Sequence, residues 1–284
     1  MDQTETIKKI KLLAANIRRN IILTIGKDGR PGHLGGSCSS ADIVAVLYGH
    51  KMRYKPEDPA WEDRDKFIYS KGHAAIAQYA AMAEVGYFDK EELLTTKSLG
   101  TRLQGHPDRK KLPGIEAGTG SLGQGLSIAN GMAFAMKLDG KDNKVYCVLG
   151  DGEIAEGQIW EAAMAASSYG LDNLVAFLDY NKLQSTGALV DVFDIGPIAE
   201  KWEGFGWRTL EIDGHDIEEI LSALDKADEI AVKEKKPVMI IAHTIKGKGV
   251  SFAENVVGFH NGALSPEQYD QALEELDAAI AALN

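Results

Sequence analysis

The chain has 284 residues, 44% hydrophobic and 26% charged, which is ordinary for a protein that folds in water around a large core. Its net charge of −11 argues against nucleic acid or an anionic membrane as partner, since both call for a basic face, and leaves any anionic ligand to local donors and a metal. Two cysteines outside any metal-ligand or CxxC spacing, no apolar leader and no run long enough to span a bilayer give the expectation of a reduced, cytoplasmic protein.

Apolar residues at Ile7, Ile10, Leu13, Ala14, Ile17, Ile21 and Ile25 recur at helical period and predict a helix over 4–26, with Lys9, Arg18 and Arg19 largely off the stripe. The glycine-rich stretch Gly29 to Ser37 then reads as a loop, and helix resumes at Ala41. Strands are expected at Phe67–Tyr69, Val145–Leu149, Leu174–Leu178, Trp207–Ile212 and Val238–Ala242. Helices are expected at Ala74–Val85, Leu122–Lys137, Gly157–Tyr169 and Ile217–Lys235. Alternation of this kind predicts an α/β fold: a doubly wound, mainly parallel sheet with helices on both faces, in a single domain over 1–284. Ser265-Pro266-Glu267-Gln268 is a capping box that opens a last helix. The helix from Leu122 carries Gly125, Ser127, Ala129, Gly131, Ala133 and Ala135. Glycine inside a helix costs about 1 kcal/mol, which close packing against another helix or a neighbouring subunit would offset.

Chemistry concentrates where the strands end. Gly150-Asp151-Gly152 closes one apolar run and Asn181 follows another, with a helix between. Strand, crossover helix and parallel strand bring Asp151 and Asn181 together at the carboxyl ends of a sheet, where open parallel sheets bind ligands. Two oxygen donors suit Mg²⁺ or Ca²⁺ rather than zinc or copper. The flanking glycines let backbone amides approach an anion. The reading is a metal-bridged diphosphate site.

Other motifs admit two readings. Gly118-Thr119-Gly120-Ser121-Leu122-Gly123 is a literal GxGxxG, but no strand precedes it, so it reads as a glycine loop against a flat ligand rather than a dinucleotide fingerprint. Of seven histidines, four lie in glycine-containing loops: His33, His73, His106 and His260. Each alone reads as structural; together they suggest a cluster. His50 and His243 read as structural, and His215 as a turn residue before a helix. Lys246 and Lys248 are either a solvated loop or phosphate neutralisers. Glu153 reads as a surface carboxylate, and Glu156 as an anion favoured at a helix start.

These blocks taken together resemble the transketolase family. Arg30-Pro31-Gly32-His33 leading to Ser40-Ala41-Asp42, Ser70-Lys71-Gly72-His73, Gln104-Gly105-His106-Pro107, Thr119 to Gly125, Gly150 to Gly157, Asp179-Tyr180-Asn181 and Ile212 to His215 follow the family's order over about Ala15 to Leu264. The resemblance implies thiamine diphosphate as cofactor. Asp151, Asn181 and the carbonyl of Leu183 would hold the metal. His73, the Gly152 amide, Asn181, Lys246 and His260 would contact the diphosphate, and Gly120, Ser121 and Leu122 would line the rings. His33, His106 and His260 would face the substrate as proton shuttles, and Glu156 would couple to a carboxylate of a partner.

Full-length members carry two further domains, so the resemblance implies the N-terminal subunit of a split enzyme. A C-terminal subunit would complete each site in an A₂B₂ assembly acting on sugar phosphates. Specialised members act on apulose phosphate or sulfosugars. Gly36 stands where animal-type members have serine, removing one cofactor contact. Another thiamine-diphosphate enzyme, such as a 2-oxo-acid dehydrogenase component or a deoxyxylulose-phosphate synthase half, and a non-catalytic relative remain the alternatives.

Overall fold

The computed structural model describes residues 2–26, 29 and 31–284; Arg30 of the first histidine block lies outside them. Helix α1 (Gln3–Ile25) leads into α2 (Leu34–Ser39) and α3 (Ala41–Val46), whose end widens into a π turn over Leu47–Lys51. There follow β1 (Lys66–Tyr69), α4 (Ala75–Glu84), α5 (Gln124–Leu138), β2 (Val145–Gly150), α6 (Gly157–Ser168) and β3 (Leu174–Tyr180). A small antiparallel hairpin, β4 (Leu183–Gln184) and β5 (Gly187–Ala188), precedes α7 (Leu189–Val192) and α8 (Ile198–Gly204). The chain closes with β6 (Arg208–Asp213), α9 (Ile217–Glu234), β7 (Val238–His243) and α10 (Pro266–Leu283). The last helix opens on the expected capping box, Ser265 Oγ accepting from Gln268 N and Gln268 Oε1 from Ser265 N.

Five strands pair in the order β1-β2-β3-β7-β6, all parallel. Side chains alternate across the sheet, as the period of two requires. Tyr146, Val148, Val175, Phe177, Val238 and Ile240 pack with α1, α3, α4 and α9 on one face. Val145, Cys147, Leu174, Ala176, Met239 and Ile241 pack with α5, α6 and α8 on the other. Both faces are therefore dry, and each fully buried Val, Leu or Ile contributes about 1.5–3 kcal/mol.

Connections fix where the crevice opens. After β3 the chain leaves toward the α5/α6 face, burying Leu189, Ile195 and Ile198 there. After β7 it leaves toward the opposite face, burying Val250, Ala253 and Leu264. The parting lies between the carboxyl ends of neighbouring strands, which is where ligands enter doubly wound sheets.

One expected loop is a helix. Leu34–Ser39 form α2, buried throughout, despite Gly35 and Gly36. Tertiary contact outweighs helix propensity here: a Cβ on Gly35 would lie 2.8 Å from Lys246 Cγ and 3.0 Å from the carbonyl of Phe259. The small residues of α5 divide in the same way. Gly125, Ala129 and Ala133 are taken up by internal packing, and a Cβ on Gly125 would lie 2.3 Å from Ser70 Oγ. Gly131, Phe134, Ala135 and Leu138 stay exposed.

Candidate active site

A cleft of about 550 Å³ opens at the carboxyl ends of β2, β3 and β7. Register places Gly150, Asp179 and Ala242 side by side across those strands, so the residues just beyond them are neighbours. Asp151, Gly152, Asn181, Leu183, His73, Leu122, Lys246 and His260 all line the cleft.

Asp151 is 3% exposed. Its carboxylate accepts from the amides of Gly152 at 2.8 Å and Lys182 at 2.5 Å. Among the described residues no lysine or arginine pairs with it at ion-pair distance. Burial, reinforced by the charge of Asp179, pushes its carboxyl up to about 6. A buried carboxylate that makes no direct ion pair among the described residues is a place for a cation, even with the Lys246 and Lys71 ammonium groups nearby. The rest of the donor set agrees: Asn181 is buried nearby, and the Leu183 carbonyl accepts from the Lys246 ammonium at 2.8 Å, so it already presents oxygen to a positive charge. Acid, amide and carbonyl oxygens fit a hard divalent ion.

The floor is a buried ion pair. Lys71, just past β1, reaches over the end of β2 to Asp179 at the end of β3, and also donates to the Gly36 carbonyl at 2.6 Å. Asp179 further accepts from Ser39 at 2.6 Å, Asn181 at 3.2 Å and Thr244. Together these hold its carboxyl below the usual range, against burial. Lys246 is 2% exposed; burial, together with the charge of Lys71, lowers its ammonium to about 8. Of the two readings of its loop, Lys246 therefore belongs to the cleft. Lys248 turns to Glu254 at 3.8 Å instead.

The loop histidines do meet. Ring centroids of His33 lie 5.1 Å from His73, 5.7 Å from His260 and 6.3 Å from His106, and those of His73 and His260 lie 5.2 Å apart. Burial, then neighbouring lysines and histidines, lowers His33 to about 4, His260 to about 3 and His73 to about 2. His106 is more exposed and is also lowered. All four are neutral at physiological pH. Among the described residues, Nδ1 of His33, Nδ1 of His260 and Nε2 of Gln184 are buried without a partner, a concentration of unused polar atoms that a core avoids and a ligand site requires.

The GxGxxG segment is a loop before α5, as its context implies. A Cβ on Gly120, whose φ is +131°, would lie 2.4 Å from His106 Cδ2, so this glycine admits the histidine. Ser121 is exposed at the rim, and Leu122 lines the cleft. Glu156 stands apart, exposed at the N-cap of α6 and close to Gly123.

Glu153 is a correction: it is 2% exposed, not a surface carboxylate. Its two oxygens are taken by Ser70 and by the amides of Gly123 and Gly150, bonds that sequence spacing does not reveal. Lys71 and Asp179 stand inside two of the family blocks, but nothing in the sequence pairs them. His215 does precede a helix, but its Nδ1 meets Asp42 at 2.7 Å and its Nε2 accepts from Ile245 N at 2.8 Å. Asp42 pairs in turn with Arg18, a helix arginine buried against expectation. His50 is exposed, and His243 pairs with Glu211 at 2.9 Å.

Residues 5–279 match the family model "Transketolase, thiamine diphosphate binding domain". A 6-deoxy-6-sulfo-D-fructose transketolase subunit of Clostridium sp. (strain MSTE9) is 46% identical over 264 residues, covering 93% of this chain and 94% of that protein. An apulose-4-phosphate transketolase subunit of Phocaeicola vulgatus is 39% identical over 274 residues, 96% of each. Transketolase from Campylobacter jejuni superposes with a TM-score of 0.84 at 30% identity, over 100% of this chain and 46% of that one. Pichia stipitis transketolase with sedoheptulose 7-phosphate gives 0.87 at 27%, over 97% and 44%. The chain thus spans less than half the length of these solved enzymes and nearly all of the two subunits.

Proposed function

The chain belongs to the transketolase family, and from that premise we propose that it is the thiamine-diphosphate-binding subunit of a two-chain transketolase. It would transfer a two-carbon ketol unit from a ketose phosphate to an aldose once a C-terminal subunit completes the site, in an A₂B₂ assembly. The observation that carries this reading is the cleft at the tips of β2, β3 and β7, where a buried carboxylate with no direct ion pair among the described residues shares the lining with a cluster of histidines.

Asp151, Asn181 and the Leu183 carbonyl would hold Mg²⁺ or Ca²⁺. Lys246, His73, the Gly152 amide, Asn181 and His260 would hold the diphosphate, and Gly120, Ser121 and Leu122 the rings. Bound thiamine diphosphate supplies the electron sink for making and breaking the ketol carbon–carbon bond. The chain's own contribution is orientation and proton handling. Neutral His33, His106 and His260 can each accept a hydrogen bond at one ring nitrogen and donate one at the other, so each would take up a proton from a sugar hydroxyl and, as imidazolium, return it. Glu156, exposed on the single chain, is available to a neighbouring subunit.

The test is reconstitution. Ketol transfer is measured with the chain alone, then with the second subunit, with and without thiamine diphosphate, Mg²⁺ and a chelator. Turnover should need both polypeptides, the cofactor and the ion. Sustained turnover by the chain alone, or cofactor binding indifferent to the ion, would defeat the proposal.

A further inference from the structure

Glu153 occupies a position that the cleft's ligand chemistry does not explain. It sits in the short turn after Asp151, 2% exposed, and accepts three hydrogen bonds. Those bonds come from three separate segments. Ser70 Oγ donates from the loop after β1, the one that carries Lys71 and His73. Gly123 N donates at 2.9 Å from the loop that carries Gly120, Ser121 and Leu122. Gly150 N donates at 3.0 Å from the tip of β2, beside Asp151. The first two loops also touch directly: Thr119 Oγ1 donates to the Tyr69 carbonyl at 2.7 Å, and a Cβ on Gly72 would lie 2.5 Å from Thr119 C.

A carboxylate accepts through two oxygens and donates nothing, so one side chain can satisfy three donors converging from different directions. No neutral side chain offers the same set. A buried carboxylate with no ion pair to offset its desolvation is an expensive choice for stability alone. Among the described residues, the nearby ammonium of Lys71 is bonded to Asp179 and Gly36, not to Glu153.

We infer that Glu153 is a positioning residue: its buried carboxylate locks the three loops proposed to hold the metal, the diphosphate and the cofactor rings into one register before any ligand arrives. The inference rests on the functional reading of the cleft given above. It adds that cofactor affinity depends on a side chain whose oxygens are committed to the loops.

Glu153→Gln is the informative variant. The amide oxygen can keep Ser70 and Gly123, but the NH₂ group would then oppose the Gly150 N–H, leaving a buried donor unmet. Loss of one such bond is worth about 1–3 kcal/mol, so the dissociation constant for thiamine diphosphate at saturating Mg²⁺, measured calorimetrically with both subunits present, should rise about 5- to 150-fold. Ser70→Ala, which leaves the carboxylate and both amides in place, should raise it only about threefold. In the ligand-free chain, hydrogen exchange in Glu153→Gln should quicken in peptides covering 118–123 and 148–152 and stay unchanged over β3.

A folded Glu153→Gln chain with wild-type affinity and wild-type exchange in both loops would overturn the inference, as would a lowered melting temperature with neither readout altered. If Glu153→Gln does not fold, Ser70→Ala decides through the same two measurements. Failure of the wild-type complex to bind thiamine diphosphate would sink the functional reading, while the exchange comparison would still judge the lock.

Discussion

Two aspartates at opposite ends of neighbouring strands show how the same backbone arrangement serves two purposes. Asp65, just before β1, is 6% exposed and accepts from the amides of Arg53 and Lys144, each at 2.8 Å. Asp151, just after β2, is 3% exposed and also accepts from two amides. The difference is the countercharge. Asp65 has the Arg53 guanidinium at 3.2 Å, whereas Asp151 has no such partner among the described residues. At the amino-terminal end of the sheet the aspartate is paired within the chain; at the carboxyl end Asp151 is left without an ion pair among the described residues.

This contrast can be broken in graded steps. The largest effect should come from Lys71→Met, which strands the fully buried Asp179 without its cation. Removing one partner of a buried pair costs about 3–5 kcal/mol, read as a fall in urea midpoint, and Arg53→Met at the half-exposed end should cost clearly less. Equal losses would abolish the distinction between the two ends.

Next come the aspartates themselves. Asp151→Asn should weaken Mg²⁺-dependent thiamine diphosphate binding by about 100-fold or more while the chain stays folded. Asp65→Asn should do the reverse, losing about 1–3 kcal/mol of stability with cofactor affinity intact in calorimetry. A fall in cofactor affinity from the Asp65 change would show that the ends are not independent.

The third handle is pH. Burial first, and then Lys71, Lys97, Lys246 and the neighbouring rings, depress His33 to about 4 and His260 to about 3. Between those values and the ordinary histidine pKa of about 6.5, the unfolded chain binds more protons than the folded one. Their contribution to stability is therefore complete above about 6.5 and is lost progressively as pH falls toward 4 and 3. The urea midpoint should drop over that window, and less steeply in His33→Asn.

Much of this was legible in the sequence. Apolar runs located the five sheet strands and period-3.6 patterning the long helices, because the inner strands bury both faces and each helix one. The meeting of Asp151 and Asn181 followed from strand order alone. What escaped were features set by tertiary contact. Helix α2 exists because Gly35 makes room for Lys246, and Arg18 is buried because Asp42 waits in α3 with His215 behind it. Glu153 looked like a surface acid because its three donors lie in loops that only the fold brings together.

Cys38 and Cys147 are fully buried, one in each of the two cores, and burial pushes both thiols up, Cys38 to about 12. Thiolate is the reactive form, so the wild-type chain should be silent toward maleimides and alkylating agents while folded. A single cysteine placed at the exposed Ser121 would then be the one site to accept a fluorophore, giving a background-free optical reporter at the rim of the cleft without first removing any native sulfur.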